Sequence, residues 1–216
     1  MKKKKVSDPP IDCLLCPRLV ALRHESRILY PHYYNAPVPS FGDTNARLLV
    51  VGMAPGLRGA NRTGRPFTGD YAGDLLYSTM LKFGFAIGNY DKRLDDNILL
   101  VDCRITNAVR CVPPKNKLIS SEINNCCFFL KMTIKEMPYL KVIIALGSIA
   151  HSATLSALGY KKSSNKFSHN MFHSLKNGLI LIDSYHCSRY NTQTGRLTKN
   201  MLHQVFSQVH NLLASR

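Results

Sequence analysis

The chain has 216 residues, 45% of them hydrophobic, which suits one α/β domain with a sizeable core and argues against a largely disordered protein. Its 29 Lys and Arg residues against 13 Asp and Glu residues give a formal net charge of +16, spread over the whole length, which favours a polyanionic partner such as nucleic acid. The sequence shows neither a secretory signal nor an apolar run of membrane-spanning length, so we expect a cytoplasmic protein with no membrane contact. We also expect a monomer.

The first ten residues carry four consecutive lysines, Lys2–Lys5, and two prolines, Pro9 and Pro10. A charge run of this kind is typical of a solvated segment. We therefore predict a disordered basic arm at residues 1–10 and a single domain at residues 11–216.

The seven cysteines indicate a metal site rather than a disulfide framework, because their number is odd and the chain has no export signal. Cys13 and Cys16 form a close pair, whereas Cys111 and the adjacent Cys126 and Cys127 lie far along the chain. One close pair plus two distant cysteines is the count for a four-thiolate site, which holds either a [4Fe–4S] cluster or a structural zinc ion. Neighbouring residues on a helix point about 100° apart, so only one of Cys126 and Cys127 needs to be a ligand.

Four apolar runs predict buried strands, at residues 47–54, 97–109, 140–147 and 178–186. Amphipathic segments predict helices at residues 72–83, about 120–137, 148–158 and from about 198, the first of them capped by Asp70. Strands that alternate with helices predict an α/β fold, a three-layer α/β/α sandwich around a four-stranded parallel sheet. Ligands bind at the carboxyl ends of such strands, so the loops that leave these ends are expected to share one site.

The loop after the first strand reads GMAPGLRGANRTGRPFTGD, residues 52–70. Its glycines allow a close approach of the backbone to a ligand, and it leads into a helix N-terminus, which favours an anion. It has neither the Walker ending nor the dinucleotide fingerprint. Arg62 and Arg65 are candidate DNA contacts, and Phe67 is either a stacking platform for a base or a core residue.

Two further motifs follow strands. Asn107, in ITNAVRC, carries a donor pair and an acceptor and can therefore match the edge of a pyrimidine, although an isolated Asn is also common in turns. His186, in SYHCSRYNTQTGRL, could donate a hydrogen bond to a leaving group or be structural. Arg189 and Tyr190, in the same motif, are candidates to contact DNA and to wedge into a duplex.

Four segments together resemble the uracil-DNA glycosylase superfamily, most closely its family 5, the type-b enzymes. They are CLLCPRLV, GMAPGLRGANRTGRPFTGD, ITNAVRCVPPKNK and SYHCSRYNTQTGRLT, in this order between residues 13 and 198. The resemblance implies an α/β/α sandwich and a [4Fe–4S] cluster that orders loops near DNA. Its implied ligands are Cys13, Cys16, Cys111 and Cys126, with Cys127 as the alternative to the last.

The same resemblance implies an enzyme that flips a damaged nucleotide out of DNA, single- or double-stranded, and hydrolyses its N-glycosidic bond. In that reaction Phe67 would stack on the base, Asn107 would read its Watson–Crick edge, and His186 would donate to a base oxygen. Gly52 and Ala54, at the start of the loop, would complete the substrate-binding residues.

The loop departs from the related family 4, whose motif reads GEAPG, because this chain has Met53 at the second position. A thioether cannot orient or deprotonate a water molecule. Asp70, at the far end of the loop, is our candidate for that task and equally for the helix cap, and Asp74 is a weaker one. The sequence thus favours a glycosylase that removes uracil, with other deaminated or alkylated bases as further candidates. The alternative is a non-catalytic nucleic-acid-binding protein with a structural four-cysteine metal site.

Overall fold

The computed structural model describes residues 7–215, except the side chain of Lys162. The lysine run of the predicted basic arm lies outside these residues. The expected extension of the arm to residue 10 is wrong, because residues 7–10 belong to the packed domain. Ser7 is 2% exposed, and the carboxylate of Asp8 accepts hydrogen bonds from the Ser40 amide at 3.0 Å and from Arg110 at 2.8 Å.

A six-stranded sheet, in the order β1-β5-β2-β6-β8-β7, forms the centre of the domain. The four inner strands run parallel: β5 (Cys103–Asn107), β2 (Leu48–Gly52), β6 (Val142–Leu146) and β8 (Ile180–Ser184). The edge strands β1 (Phe41–Gly42) and β7 (Phe172–Ser174) pair antiparallel with β5 and β8. The predicted α/β/α sandwich and its four parallel strands are confirmed, but the sheet has six strands rather than four. Strands of two or three residues are too short to show a hydrophobic period.

Seven α-helices occur in the described part of the chain. They are α1 (Pro17–Leu29), α2 (Ala60–Thr63), α3 (Tyr71–Lys82), α4 (Ser120–Lys135), α5 (Ser148–Leu158), α6 (Arg189–Gln193) and α7 (Lys199–Ala214). The cap expected for α3 is present, since the Asp70 carboxylate accepts a hydrogen bond from the Gly73 amide at 3.3 Å. Thr198 caps α7 in the same way. These caps satisfy backbone amides that a helix leaves without partners in its first turn.

The two faces of the sheet bury alternate residues of each strand. Leu48 and Val50 face the layer of α3 and α7, whereas Leu49 and Val51 face the layer of α4 and α5. Each such buried side chain stabilises the fold by about 1.5–3 kcal/mol. The continuous burial of the inner strands explains why they appear in the sequence as unbroken apolar runs.

The segment 97–109, predicted as one strand, is interrupted. A short strand β4 (Leu99–Leu100) pairs with β3 (Ala86–Ile87) in a separate hairpin, and β5 begins only at Cys103. Between them Asp102 has φ +50° and its carboxylate accepts hydrogen bonds from the Arg47 amide and guanidinium, both at 2.7 Å. This turn redirects the chain, which periodicity alone does not reveal. None of the described helices is long and apolar enough to cross a membrane.

Candidate active site and metal centre

The carboxyl ends of β2 and β5 place Gly52 and Asn107 side by side in parallel register. A Cβ at Gly52 would overlap the Asn107 side-chain oxygen and crowd the Phe67 ring, so only glycine leaves room for both. Asn107 is 3% exposed, and within residues 7–215 its amide makes no side-chain hydrogen bond. Buried amides require partners, so this one is available to a ligand.

A small pocket lies at these strand ends, with a volume of about 30 Å³. It is lined by Ala54, Pro55, Gly56, Ala60, Phe67, Asp70, Ala72, Asn107 and His186. Four side chains singled out from the sequence therefore meet in one place, although they come from three separate segments: the glycine-rich loop, the end of β5 and the loop after β8.

The Phe67 ring forms one wall of this pocket, and its centroid lies 5.9 Å from that of the His186 ring at an interplanar angle of 29°. Phe67 has φ +54°, which is costly for an aromatic residue and persists only where the surroundings impose it. The Tyr90 hydroxyl helps to impose it by donating to the Phe67 carbonyl at 3.0 Å. Strain of this kind concentrates at ligand sites.

Asp70 is half-buried beside the glycine-rich loop. A Cβ at Gly59 would overlap its carboxylate, so the loop lies directly against the acid. Burial raises the pKa of Asp70, and hydrogen bonds from the Gly73 and Ala72 amides partly offset that shift. Asp70 therefore does combine the two expected positions, at the helix cap and in the pocket.

His186 follows β8 by two residues and is held by the loop around it. The Asn191 side-chain amide donates to the His186 carbonyl at 2.8 Å, and Ser188 caps α6. Burial lowers the pKa of His186 to about 4, so its imidazole is neutral at physiological pH. A neutral ring offers one N–H donor and no positive charge.

A larger cleft of about 480 Å³ adjoins the pocket and shares with it Ala54, Gly56, Asp70, Ala72 and His186. Arg189 lies on its wall, with the guanidinium 5.3 Å from the centroid of the Tyr71 ring, and Tyr190 beyond it is 71% exposed. The cleft thus leads from a basic, aromatic rim to the pocket.

The two arginines of the glycine-rich loop differ in position. Arg62 is half-buried, and its Nε donates to the Arg58 carbonyl at 3.0 Å. Arg65 is 4% exposed, pairs with Asp96 at 2.7 Å and donates to Thr68 at 2.8 Å. The expectation that Arg65 contacts DNA is therefore corrected: its guanidinium braces the loop from inside.

Several cleft residues were missed from the sequence. They are Tyr71, Asn116, Phe167, Tyr185 and Arg196. Tyr71 and Tyr185 are the sequence neighbours of Asp70 and His186, so their positions could have indicated that they line the same site. Phe167 carried no such signal, because it lies in a polar loop far from the quoted motifs.

A second polar cluster, His151, His173 and Asp183, lies beneath the wall that carries Phe167. Asp183 accepts from His151 Nδ1 at 2.7 Å and from His173 Nε2 at 2.9 Å, and His151 Nε2 lies 2.8 Å from the Asn165 carbonyl. A carboxylate and a carbonyl only accept, so both nitrogens of His151 carry protons and the ring is cationic. Burial lowers the pKa of His151, but the hydrogen bond and charge of Asp183 raise it above the ordinary value. This hydrogen-bonded cluster leaves no nitrogen of His151 for a metal ion.

We expect His151→Gln to lower the free energy of unfolding by about 3 kcal/mol at pH 6, because it leaves the Asp183 carboxylate without its buried cation. The raised pKa of His151 determines how this effect changes with pH. The stabilisation by the His151–Asp183 pair is fully present below the ordinary histidine pKa of about 6.5, and it is lost as pH rises through the higher pKa of the folded state. Denaturant unfolding between pH 6 and 9 should show that the difference in unfolding free energy between wild type and His151→Gln becomes smaller as the pH rises. His24→Gln, at an exposed residue, is the control. A difference in unfolding free energy that grows with pH would contradict the cationic state of His151.

Four cysteines line a separate cavity of about 20 Å³ between α1, α4 and the loop after β5. They are Cys13, Cys16, Cys111 and Cys126. Cys127 instead packs against the core beneath α4 and α5. The helix orientation therefore favours Cys126 over Cys127 as the fourth ligand.

The four thiols line one shared cavity, so all four are placed to hold the same metal group. Four thiolates suit either a [4Fe–4S] cluster or a structural zinc ion.

Comparison with known proteins relates the whole domain to one family. Residues 39–210 match the family model described as "Uracil DNA glycosylase superfamily". The chain is 42% identical over 205 residues to a protein of Thermus thermophilus named "Type-5 uracil-DNA glycosylase", with 93% of both chains covered. It is 37% identical over 199 residues to one of the same name from Pyrobaculum aerophilum, covering 90% of this chain and 86% of that one. A third, from Mycobacterium leprae, is 36% identical over 208 residues, with 93% and 91% covered.

The family match spans most of the folded domain, including β2, β5, β8 and the pocket at their ends. The relatives extend the match towards the N-terminus and cover nearly all of each chain. The chain belongs to the uracil-DNA glycosylase superfamily and, within it, to the type-5 proteins.

Proposed function

We propose that this protein is a DNA repair glycosylase that removes uracil from DNA by hydrolysing the N-glycosidic bond, the first step of base excision repair. The observation that carries the proposal is the convergence of Phe67, Asn107, Asp70 and His186 in one pocket. Its relatives named type-5 uracil-DNA glycosylase support the same activity.

Base recognition rests on the pocket walls. The flipped base stacks on Phe67, whose backbone is held in place by Tyr90. Asn107 pairs with the base edge through its side-chain amide, which makes no hydrogen bond within the described residues. Binding of uracil therefore satisfies a buried polar group that otherwise has no partner there. Gly52 and Ala54 supply the bare backbone against which the base lies.

The bond that breaks joins C1′ of the sugar to N1 of uracil. Its electron pair moves onto the uracil ring, where the neutral His186 imidazole donates a hydrogen bond to a base oxygen, and C1′ becomes oxocarbenium-like. A water molecule oriented by the Asp70 carboxylate then adds to C1′ and gives a proton to that carboxylate, and the released uracil anion takes up a proton from solvent. The carboxylate also stabilises the positive charge of the sugar.

Met53 explains why this task belongs to Asp70. The Met53 thioether lines the cleft at the position where a polar side chain could hold water, but sulfur is a weak acceptor. Asp70 lies on the same cleft wall and in the pocket, at the start of α3.

DNA binding follows from charge and shape. Arg189 and Arg196 lie on the cleft wall, and the net charge of +16 favours the phosphate backbone. Arg62 is a further phosphate contact, and Tyr190, exposed at the start of α6, is the wedge that fills the gap left by the flipped nucleotide.

We further propose that Cys13, Cys16, Cys111 and Cys126 hold a [4Fe–4S] cluster. The cavity shared by the four thiols supports this assignment, and so does the position of Cys127, which packs against the core beneath α4 and α5 instead. When bound, the cluster supplies a structural cross-link rather than a reacting group. Its ligands join α1 and α4 to the loop after β5, which leads on to Asn116 in the cleft.

The deciding experiment incubates the purified protein with single- and double-stranded oligonucleotides that contain uracil, followed by alkali. Strand cleavage at the uracil is expected, and a panel with hypoxanthine, xanthine and ethenocytosine defines the range of bases. Binding of these oligonucleotides without cleavage above a heat-killed control would favour the alternative, a nucleic-acid-binding protein without catalysis.

Replacing Gly52 with Ala is expected to lower kcat/KM for uracil excision about a hundredfold, because the added Cβ displaces the Asn107 amide from the base edge. The thermal midpoint should fall by several degrees, because the added Cβ also overlaps the buried Phe67 ring, which must shift together with Asn107. Gly178→Ala introduces backbone strain at a residue with φ +73° outside the pocket and cleft, so it is the control for a loss of stability alone. Full activity in the Gly52 variant would show that the base lies elsewhere.

A further inference from the structure

Four arginine side chains are almost completely buried in the described part of the chain: Arg23, Arg65, Arg104 and Arg110, at 2%, 4%, 1% and 0% exposure. Three of them pair with a carboxylate at 2.7–2.8 Å: Arg65 with Asp96, Arg104 with Glu136 and Arg110 with Asp8. This is the expected pattern, since a buried charge is strongly unfavourable unless an opposite charge compensates it.

Arg23 breaks the pattern. No carboxylate of residues 7–215 lies within 4.0 Å of its guanidinium, which donates to the Cys13 carbonyl at 2.9 Å and lies 4.0 Å from Cys111 Sγ. Its Nε is buried without a hydrogen-bond partner, as are those of Arg104 and Arg110, so the missing carboxylate alone distinguishes Arg23. The side chain projects from α1 into the cavity that the four cysteines line.

We propose that Arg23 is the counter-ion of the group held by the four cysteines, an inference that rests on the proposed [4Fe–4S] site. Cysteine binds metal as thiolate, and four thiolates carry more negative charge than the iron–sulfur core offsets. Arg110 also lies beside Cys126, but Asp8 already neutralises it. Arg23 is thus the buried cation left over for the cluster.

Two consequences follow. A cation and N–H donor beside the Cys111 sulfur stabilises the bound cluster and raises its reduction potential. The same cation is unfavourable when the cavity holds no anionic group, because it is then buried without compensation. The effect of Arg23 on stability must therefore change sign between loaded and iron-free protein.

The first test compares Arg23→Met, Arg23→Lys and the control Arg27→Met in protein purified without oxygen. Arg27 lies one turn further along α1 and pairs with Asp12 near the surface. We expect Arg23→Met to lose iron to a chelator at least about tenfold faster than wild type and to have a lower reduction potential. The Lys variant should be intermediate and Arg27→Met unchanged. If Arg23→Met retains iron as well as wild type does and has the same reduction potential, the proposal is overturned.

The second test measures thermal midpoints with and without iron. Arg23→Met should melt below wild type when loaded and above wild type after iron is stripped. An effect of the same sign in both forms, or failure of the variant to fold in either, would overturn the proposal, because the role would then be ordinary packing. If purified wild-type protein contains no iron and sulfide, the cluster itself is refuted. Neither the iron and potential measurements nor the thermal midpoints depend on uracil excision.

Discussion

Asp70→Asn is expected to reduce the rate of uracil excision about a thousandfold, because the amide can neither accept the proton of the attacking water nor offset the charge of the sugar. The amide oxygen can still accept the hydrogen bond from Gly73, so α3 keeps its cap and the fold should persist. Single-turnover kinetics on a uracil oligonucleotide, together with binding measured on an uncleavable analogue, separate chemistry from affinity.

The matched control is Asp74→Asn on the same helix. The Asp74 carboxylate pairs with Lys92 at 2.8 Å and is absent from the walls of the pocket and cleft. The Asp74→Asn variant should therefore retain nearly full activity in uracil excision. Equal losses in both variants, or none at Asp70, would remove Asp70 from the mechanism.

The pH dependence distinguishes the two titratable groups of the pocket. Burial raises the pKa of Asp70, so the rate should fall on the acid side as pH drops through that raised value. Burial lowers the pKa of His186 to about 4, so this ring stays neutral from pH 5 upward and adds no second limb there. Rate profiles of wild type and Asp70→Asn check this, since the acid limb should disappear in the variant.

Cys126→Ala should abolish iron retention and lower the free energy of unfolding by roughly 4–5 kcal/mol, because it removes one proposed ligand of the proposed cluster, which would join α1, α4 and the loop after β5. For a chain of this length that corresponds to a thermal midpoint about 10–15 °C lower. Iron and sulfide analysis with a thermal melt measures both effects.

Its neighbour supplies the control. Cys127 packs against the core beneath α4 and α5, so Cys127→Ala should cost about 1 kcal/mol and leave the iron content unchanged. The reverse result, iron lost from the Cys127 variant and kept by the Cys126 variant, would exchange the two assignments.

Much of this architecture could be predicted because it follows from local pattern. The parallel strands appear as apolar runs since both faces are covered, and Asp70 and Thr198 mark helix starts through their own side chains. The convergence of the loops follows from topology, since parallel strands all end at one edge. By contrast, the edge strands and the turn at Asp102 depend on pairing with distant segments.

The sequence by itself determined the fold class, the family and the residue types of the pocket, because periodicity, capping and motif order are local properties. Only the tertiary structure decided direction and pairing. It turned Arg65 inward to Asp96, placed Cys126 rather than Cys127 in the wall of the four-cysteine cavity, and left Arg23 facing thiols instead of a carboxylate. Burial and charge compensation arise between segments far apart in the chain, and no local pattern encodes them.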